Sequence, residues 1–500
     1  MTVLELIQGL EVRACTGPVA TTSVTGVQCD SRLIRPGDLF VAVHGAYAHG
    51  LRFVTDACAR GASAVVATLP SARQDLPWVE LVGGDAEAQV ALAHLACAVQ
   101  GHPSRRLQVY AVTGTNGKTT TVGLLRDMLE ADGRPSGLIS TVTVAYPGHS
   151  HEADCTTPGI CALQRCLRDM ADAGCTAVAM EASSHALAQG RTDGTRFHAV
   201  AFTNLTQDHL DYHHDIPSYF AAKRRLFTCA AAARPGASAV INTDDAYGAQ
   251  LAQEAAAAGL TVVPYGLLGG QPLRAEAVSG TADGTAFVLC TAAGRAPITS
   301  GLSGRYNVMN MLCAAGLALA GGVPLAVVAR ALCEARPRWG RLERVPTPLP
   351  CRIFVDYAHT ADALAHVLAT LREVTPGQLS VVFGCGGDRD RDKRPKMGLA
   401  CALQADRLVI TSDNPRSEDP AAIIRDIVAG LPPGTSHEVV PDRFEAIARA
   451  LRSAGADDVV LIAGKGHEAV QIFADRTIPF DDRDVVREIG KRLAETGLRA

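Results

Sequence analysis

Thr113-Gly-Thr-Asn-Gly-Lys-Thr-Thr120 lies between the apolar run Tyr110-Ala-Val112 and a helical pattern from Thr119 to Ala131 that Gly133 closes. A strand, a glycine-bearing turn and a helix start in that order form a cradle for phosphate. Glycines let backbone N–H groups approach phosphate oxygens, and the helix N-terminus adds partial positive charge. Lys118 is placed to neutralise β- and γ-phosphates, and Thr119 to offer a hydroxyl to Mg²⁺. The full phosphate-loop pattern is not met, because Val112 occupies the place of its first glycine. An ordinary glycine turn is the bland alternative, and the flanking strand and helix favour the phosphate loop over it.

Outward from this loop the chain alternates apolar runs with helical patterns. Thr176-Ala-Val-Ala-Met180 and His198-Ala-Val-Ala-Phe202 read as further buried strands. After a break near Ala335-Arg-Pro337 come Ile353-Phe-Val355, Leu379-Ser-Val-Val-Phe383, Leu408-Val-Ile410 and Val459-Val-Leu-Ile462. Strands alternating with helices predict an α/β protein with mostly parallel sheets, whose ligands sit at the carboxyl ends of the strands. The first hundred residues differ, with shorter runs such as Asp38-Leu-Phe-Val-Ala-Val43 and a stretch, His102-Pro103-Ser104, that reads as a linker. The expected organisation is three domains: residues 1–103, 104–335 and 336–500.

Bulk properties agree with a folded enzyme. Five hundred residues are too many for one ordinary core, and 47% hydrophobic with 20% charged residues excludes disorder. A net charge of -4 argues against non-specific nucleic-acid binding. The 15 cysteines include no C-x-x-C pair, so neither a disulfide framework nor a zinc site is indicated, and free thiols fit a reducing cytosol. Met1–Arg13 has no basic residue before Arg13 and no long apolar run, so it is not read as a signal peptide. Met311–Ala329 carries no charge, but Gly321-Gly-Val-Pro324 interrupts it, which predicts two buried helices and not a membrane span.

The polar turns after the strands hold the candidate chemistry. Glu181, in Glu181-Ala-Ser-Ser-His185, is a carboxylate at a strand end that can hold Mg²⁺, where a surface glutamate is the plain alternative. Thr203-Asn-Leu-Thr-Gln-Asp-His-Leu-Asp-Tyr-His-His214 brings His209, His213 and His214 together with Asp208 and Asp211. Their spacing matches no common zinc pattern, and solvated loop histidines are the alternative. Lys223, in Ala221-Ala-Lys-Arg-Arg-Leu-Phe227, taken alone reads as an exposed helical lysine.

Taken together, these segments resemble the Mur ligase family. The order and spacing of GTNGKTT, EASSH, TNLTQDHLDYH and AAKRRLF match, and Gly304-Arg-Tyr-Asn-Val-Met-Asn310, Trp339-Gly-Arg-Leu-Glu343, Asp356-Tyr-Ala-His-Thr-Ala-Asp-Ala-Leu364 and Gly464-Lys-Gly-His-Glu468 extend the match. Cys155-Thr-Thr-Pro158, Phe383-Gly-Cys-Gly-Gly-Asp-Arg389 and Asp413-Asn-Pro-Arg416 are similar to the member that adds the third residue of the peptidoglycan stem peptide. The resemblance implies a small α/β N-terminal uridine-nucleotide domain, a central P-loop ATPase domain with a mostly parallel sheet, and a C-terminal Rossmann-like domain that receives the amino acid. His49, Ala182, Ala361 and Cys29 depart from common family residues.

The resemblance also implies roles. Gly114, Thr115, Asn116, Gly117, Lys118, Thr119 and Thr120 would bind ATP phosphates, with Asn307, Asn310, Arg341 and Asp356 around the nucleotide. Ser31, Ala46, Tyr47 and Ala48 would contact UDP, and Thr156, Thr157, Ser183, Gln189 and Arg191 the muramoyl dipeptide. Thr119, Glu181 and His209 are candidate magnesium ligands, with Lys223 matching the family's carbamylated lysine. The catalytic set is then Lys118, Glu181, His209 and Lys223. Arg389, Asp413, Asn414, Pro415, Arg416, Gly464 and Glu468 would form a meso-diaminopimelate pocket.

The implied reaction is ATP-dependent amide formation through an acyl phosphate. The substrates would be small molecules: ATP, the UDP-muramoyl dipeptide and meso-diaminopimelate. A cytoplasmic monomer is expected, engaging neither nucleic acid nor membrane. The rivals are an L-lysine-adding ligase or a folylpolyglutamate synthase, and a P-loop ATPase without ligase activity. Arg416 disfavours lysine, the N-terminal region disfavours the folate enzyme, and the last rival leaves DNPR and GKGHE unexplained.

Overall fold

In the computed structural model, which describes residues 1–45, 48–70, 76–281 and 284–496, the chain builds three principal sheets in sequence order. The first has five strands in the order Val12–Thr16, Trp78–Leu81, Ala64–Ala67, Asp38–Val41, Gly26–Gln28, parallel except for the first. The second has eleven strands, with a parallel centre and antiparallel additions at both edges. The third has six, parallel except for the short Glu343–Arg344.

Each sheet is covered on both faces, which explains why its strands read as continuous apolar runs and not as alternating ones. In the central sheet Tyr110, Val112, Ala177, Ala179, Ala199 and Ala201 pack into one core, while Val109, Ala111, Val178, Met180, Val200 and Phe202 pack into another. The third sheet repeats the pattern, with Val381, Phe383 and Leu461 on one face and Val382, Val460 and Ile462 on the other. The period of two along a strand sorts successive side chains between two helical layers.

Met311–Ala329 falls in two helices, Arg305–Ala320 and Leu325–Glu334, separated by the glycine-glycine turn. Among the described residues no helix is long and apolar enough to cross a membrane. The expected linker is instead a structured joint. His102 has φ 51°, Pro103–Arg105 forms a 3₁₀ turn, and the buried Ser104 hydroxyl accepts from the Arg196 amide at 3.1 Å. All 15 cysteines are free thiols. His49 caps the turn that follows it: its Nδ1 accepts from the Leu51 amide at 3.1 Å and starts the Gly50–Phe53 turn.

Parallel strands carry the site because their carboxyl ends share one edge. Glu181 pairs beside Val112, and Phe202 beside Thr113. The phosphate loop, the Ala182 turn and the Thr203 turn therefore emerge side by side. In the third sheet the turns after Asp356, Phe383, Ile410 and Ala463 emerge together in the same way.

Candidate active site

The phosphate loop joins strand Gln108–Thr113 to helix Lys118–Ala131. Gly114 and Gly117 have φ of 147° and 87°, and a Cβ at either would collide with the side chain of Thr203 or Asn310. The neighbouring turn braces the loop. Thr115 N donates to the Asn204 carbonyl and Asn116 N to Asn204 Oδ1, both at 2.9 Å, and the Thr203 hydroxyl donates to the Asn116 carbonyl at 2.6 Å. The strand-end pairing predicted the loop's place, and the family of braces explains its shape.

Two amines meet at one carbonyl. Lys118 Nζ donates to Gly114 O and Thr115 O at 2.9 Å each, and Lys223 Nζ donates to the same Gly114 O at 2.8 Å. Lys223 is not an exposed helical lysine: it is 1% exposed, in helix Ile216–Ala233, with Nζ 4.3 Å from the centre of the Tyr219 ring. Burial, and then the charge of Lys118, push Lys223 well below the ordinary lysine range, against the pull of Asp208. Burial also lowers Lys118.

Glu181 is fully buried at the end of strand Ala177–Glu181. Its Oε1 accepts from Thr141 N at 2.8 Å and its Oε2 from the Thr141 hydroxyl at 3.2 Å. Sequence reading missed Thr141, which lies in a stretch with no polar-turn signature. Thr141 Oγ1 also lies 3.1 Å from Thr156 Oγ1, while Thr157 Oγ1 donates to the Glu181 carbonyl at 2.9 Å and accepts from Ser183 N at 3.1 Å. Arg191 donates to the Thr157 carbonyl at 2.9 Å and grips Gln189 Oε1 through Nε and Nη2 at 2.9 and 2.7 Å. Thr156, Thr157, Ser183, Gln189 and Arg191 thus form one network beside Glu181.

His209 has φ 55°, and burial drives its imidazole below the ordinary range, so it is neutral at pH 7. Asp208, previously only one member of an acidic and histidine-rich run, is buried. It lies 3.3 Å from His209 Nε2 and 4.0 Å from His359 Nε2. Among the described residues no group of three or more His, Cys, Asp or Glu side chains is arranged to hold a metal. Thr119 and His209 line the same cavity as Glu181 and Lys223, and the Thr119 hydroxyl accepts from Arg341 Nη2 at 3.1 Å.

Three cavities adjoin. The largest, about 570 Å³, takes in Asn116, Gly117, Thr120, Asn307, Asn310, Arg341 and Asp356. Burial pushes the Asp356 carboxyl up to about 6, against Arg341 and the amides of Leu342 and Ala358. The second, about 150 Å³, holds Lys118, Thr119, Glu181, His209 and Lys223. The third, about 240 Å³, is lined by Arg389, Asp413, Asn414, Arg416, Gly464 and Glu468. Asp208, His209, Tyr357 and His359 line both the second and the third.

The third cavity has a rigid floor. Lys465, fully buried, donates to Asn414 Oδ1 at 3.1 Å, Glu468 Oε2 at 3.2 Å and the Val470 carbonyl at 2.5 Å. Asn414 Nδ2 donates to Glu468 Oε2 at 2.7 Å. Arg416 takes the left-handed conformation, φ 52°, and donates to the Gly387 carbonyl at 2.9 Å. Pro415 is buried and does not line the cavity. Lys465 was within a recognised motif but carried no expected role. In the first domain Ser31 is buried at the start of a 3₁₀ turn capped by Asp30, and Ala48 accepts from Gly45 N at 3.0 Å. Neither lines these cavities, and Ala46 and Tyr47 lie outside the described residues.

Comparison with known proteins gives this arrangement its class. Residues 23–111 match the model for the Mur ligase family catalytic domain, 112–318 that for the Mur ligase middle domain, and 340–466 that for the Mur ligase glutamate ligase domain. A relative from Parasynechococcus marenigrum (strain WH8102) is 44% identical over 497 residues, covering 95% of this chain and 96% of its own. One from Solibacter usitatus (strain Ellin6076) is 44% identical over 476 residues, covering 95% and 94%. Both are named UDP-N-acetylmuramoyl-L-alanyl-D-glutamate--2,6-diaminopimelate ligase. A solved structure of a protein of that name superposes with a TM-score of 0.70 at 32% identity, covering 99% of both chains. The MurF ligase of Thermotoga maritima in complex with ADP shares the fold, with a TM-score of 0.61 at 17% identity over 95% of this chain and 99% of that one. The three-domain architecture is that of an ATP-dependent ligase. The chain belongs to the Mur ligase family.

Proposed function

We propose that the chain joins meso-2,6-diaminopimelate to the D-glutamyl γ-carboxylate of UDP-N-acetylmuramoyl-L-alanyl-D-glutamate, converting ATP to ADP and phosphate, in cytoplasmic peptidoglycan precursor synthesis. The observation that carries this reading is the position of Arg416 in a polar cavity whose wall is shared with the cavity of Lys118 and Glu181. A guanidinium there can grip the distal carboxylate that distinguishes diaminopimelate from lysine. The relatives' names point to the same substrates.

On this reading the reaction runs in two steps. A γ-carboxylate oxygen attacks the terminal phosphorus of ATP, forming an acyl phosphate and ADP. The amine then attacks the acyl carbon, phosphate leaves, and the amine proton passes to solvent. Residues 114–120 hold the phosphates, with Lys118 exchanging its two loop carbonyls for β- and γ-oxygens. Asn307, Asn310, Arg341 and Asp356 surround the nucleotide. Thr156, Thr157, Ser183, Gln189 and Arg191 position the dipeptide, Ser31 and residues 46–48 the uridine nucleotide, and Arg389, Asp413, Asn414, Arg416, Gly464 and Glu468 the amino acid. Positioning of this kind converts a bimolecular attack into a local one.

Magnesium fits the residues present. Glu181 supplies a carboxylate oriented by Thr141, Thr119 a hydroxyl, and His209 a neutral ring nitrogen. Bound there, the ion would neutralise phosphate charge. Burial lowers the Lys223 amine, and the neutral amine is the form that adds CO₂, giving a carbamate and releasing a proton. Such a carbamate would add an anionic ligand or orient the others. Crystallographic density ending at a bare Lys223 amine, with ATP, magnesium and bicarbonate all present, would remove the carbamate from this account.

Release of phosphate tests the whole reading. It should require ATP, the UDP-dipeptide and diaminopimelate together. Release at the same rate without the dipeptide and the amino acid would mark a simple ATPase.

A further inference from the structure

The hydroxyl that holds Glu181 has a second partner within reach. Strand Ser136–Ile139 runs beside strand Ala177–Glu181 with Ile139 opposite Met180, so the segment after Ile139 reaches the Glu181 side chain. Ser140 fixes that segment: its buried hydroxyl donates to the Thr143 carbonyl at 2.9 Å and accepts from the amides of Val142 and Thr143 at 3.2 and 3.0 Å. Thr141 then places its amide on Glu181 Oε1 at 2.8 Å. Its hydroxyl stands between two oxygens, Glu181 Oε2 at 3.2 Å and Thr156 Oγ1 at 3.1 Å. Thr141, Thr156 and Glu181 all line the cavity of about 150 Å³.

A hydroxyl has one proton to give, and a carboxylate only accepts. Two arrangements therefore serve the three groups. In the first, Thr156 donates to Thr141 and Thr141 donates to Glu181 Oε2. In the second, Thr141 donates to Thr156, the Thr156 proton turns to the cavity, and Glu181 Oε2 loses its hydroxyl donor. A ligand oxygen that accepts from Thr156 selects the second, because otherwise two hydroxyl oxygens would face each other at 3.1 Å with no proton between them. The buried carboxylate is then one donor short, which is costly until a cation replaces it. Thr157 cannot respond in this way, since its hydroxyl is committed to the Glu181 carbonyl and the Ser183 amide.

On the ligase reading, in which the muramoyl dipeptide meets Thr156 and magnesium meets Glu181, we propose that Thr141 is a positioning residue that makes the two bind synergistically. The dipeptide takes the Thr156 proton, Thr141 turns to Thr156, and Glu181 Oε2 is released to the ion. The Thr141 amide keeps Oε1 in place throughout, so the carboxylate changes its partner and not its orientation. Linkage makes the effect reciprocal, and the ion strengthens dipeptide binding by the same factor. The metal site is thus completed most readily when the carboxylate to be phosphorylated is already present.

The test measures binding and needs no turnover. Mn²⁺ affinity is read by electron paramagnetic resonance with a non-hydrolysable ATP analogue present and the UDP-dipeptide absent or saturating. UDP-dipeptide affinity is read by calorimetry with and without Mn²⁺. In the wild type each ligand should tighten the other about 5- to 10-fold. Thr141→Val removes the hydroxyl and keeps the amide and the shape. It should bind Mn²⁺ without dipeptide as tightly as the wild type does with it, and the coupling should fall below about twofold. Thr141→Ser should keep the coupling, and affinity for the ATP analogue within about twofold of wild type shows that both variants fold. A residue that only oriented Glu181 would instead give weaker Mn²⁺ binding in Thr141→Val with and without dipeptide. That result, coupling retained in Thr141→Val or lost in Thr141→Ser, or no coupling in the wild type would overturn the proposal. A wild type that does not bind the UDP-dipeptide at all would overturn the ligase reading on which it rests.

Discussion

Arg341 and Thr119 stand 222 residues apart in sequence and are joined by a hydrogen bond of 3.1 Å from Nη2 to the hydroxyl. The same guanidinium lies 4.5 Å from the centre of the Tyr357 ring, and its Nε is buried without a partner. One side chain thus ties the phosphate-loop helix to the third sheet beside the largest of the three cavities. Arg341→Ala should lower kcat/KM for ATP about 100-fold, and Arg341→Lys should recover little, because a point charge cannot serve the hydroxyl, the ring and a phosphate at once. Steady-state kinetics with varied ATP check this.

Lys118→Ala should lower turnover by a factor on the order of 10³ or more even at saturating ATP. It removes charge from a loop and no volume from a core, so the melting temperature should move by no more than a few degrees, about ±3 °C. Near-normal turnover in a folded variant would contradict the phosphate role.

Asp356 makes stability depend on pH in a defined direction. Burial raises its carboxyl from 3.8 to about 6, so the folded state favours the protonated form. The stability this contributes is fully present below the unfolded value and is lost as pH rises through about 6. Asp356→Asn keeps one acceptor for the amides of Leu342 and Ala358 and cannot ionise. Between about pH 4 and about pH 8 the wild type should lose on the order of 3 kcal/mol relative to this variant. Urea titrations across that range measure the difference, and a flat difference would contradict the assignment.

Arg443 and Asp482 form a fully buried two-pronged ion pair, with bonds of 2.8 and 2.7 Å, and Arg443 also holds the carbonyls of Ser412 and Ala463. Those carbonyls precede Asp413 and Gly464, so the pair fixes two walls of the cavity that Arg389 and Arg416 line. Asp482→Ala leaves a buried charge without its partner and should cost about 3–5 kcal/mol. Arg443→Met combined with Asp482→Leu should cost clearly less than Asp482→Ala alone, as read by chemical denaturation.

Much of this was legible in the sequence because it rests on local patterns. The phosphate loop is a strand, a turn and a helix start in one short stretch, and the strands from Leu379 and Val459 are apolar on both faces because both faces are covered. Residues whose work is done across the fold were not legible. Thr141 orients Glu181 from a neighbouring strand end, and Lys465 holds Asn414 from 51 residues away. Thr141 lies in no polar turn, and the motif that contains Lys465 does not say that its side chain reaches back to Asn414. Lys223 read alone looked exposed, because helical context does not reveal that Tyr219 and the Gly114 carbonyl enclose it. His102–Ser104 looked like a linker, because its proline signals a turn and the Arg196 amide that bonds Ser104 is far away in sequence.

Arg416 is proposed to set the choice of amino acid. The ratio of kcat/KM for meso-diaminopimelate to that for L-lysine, measured with purified wild type and with Arg416→Ala at fixed ATP and UDP-dipeptide, tests it most directly. In the wild type the ratio should be on the order of 10³ or more, because lysine brings no distal carboxylate to the guanidinium donors that the Gly387 carbonyl leaves unused. In Arg416→Ala the KM for diaminopimelate should rise sharply and the ratio collapse, while the KM for ATP stays nearly constant. Wild-type enzyme that used L-lysine as efficiently as meso-diaminopimelate would contradict the account.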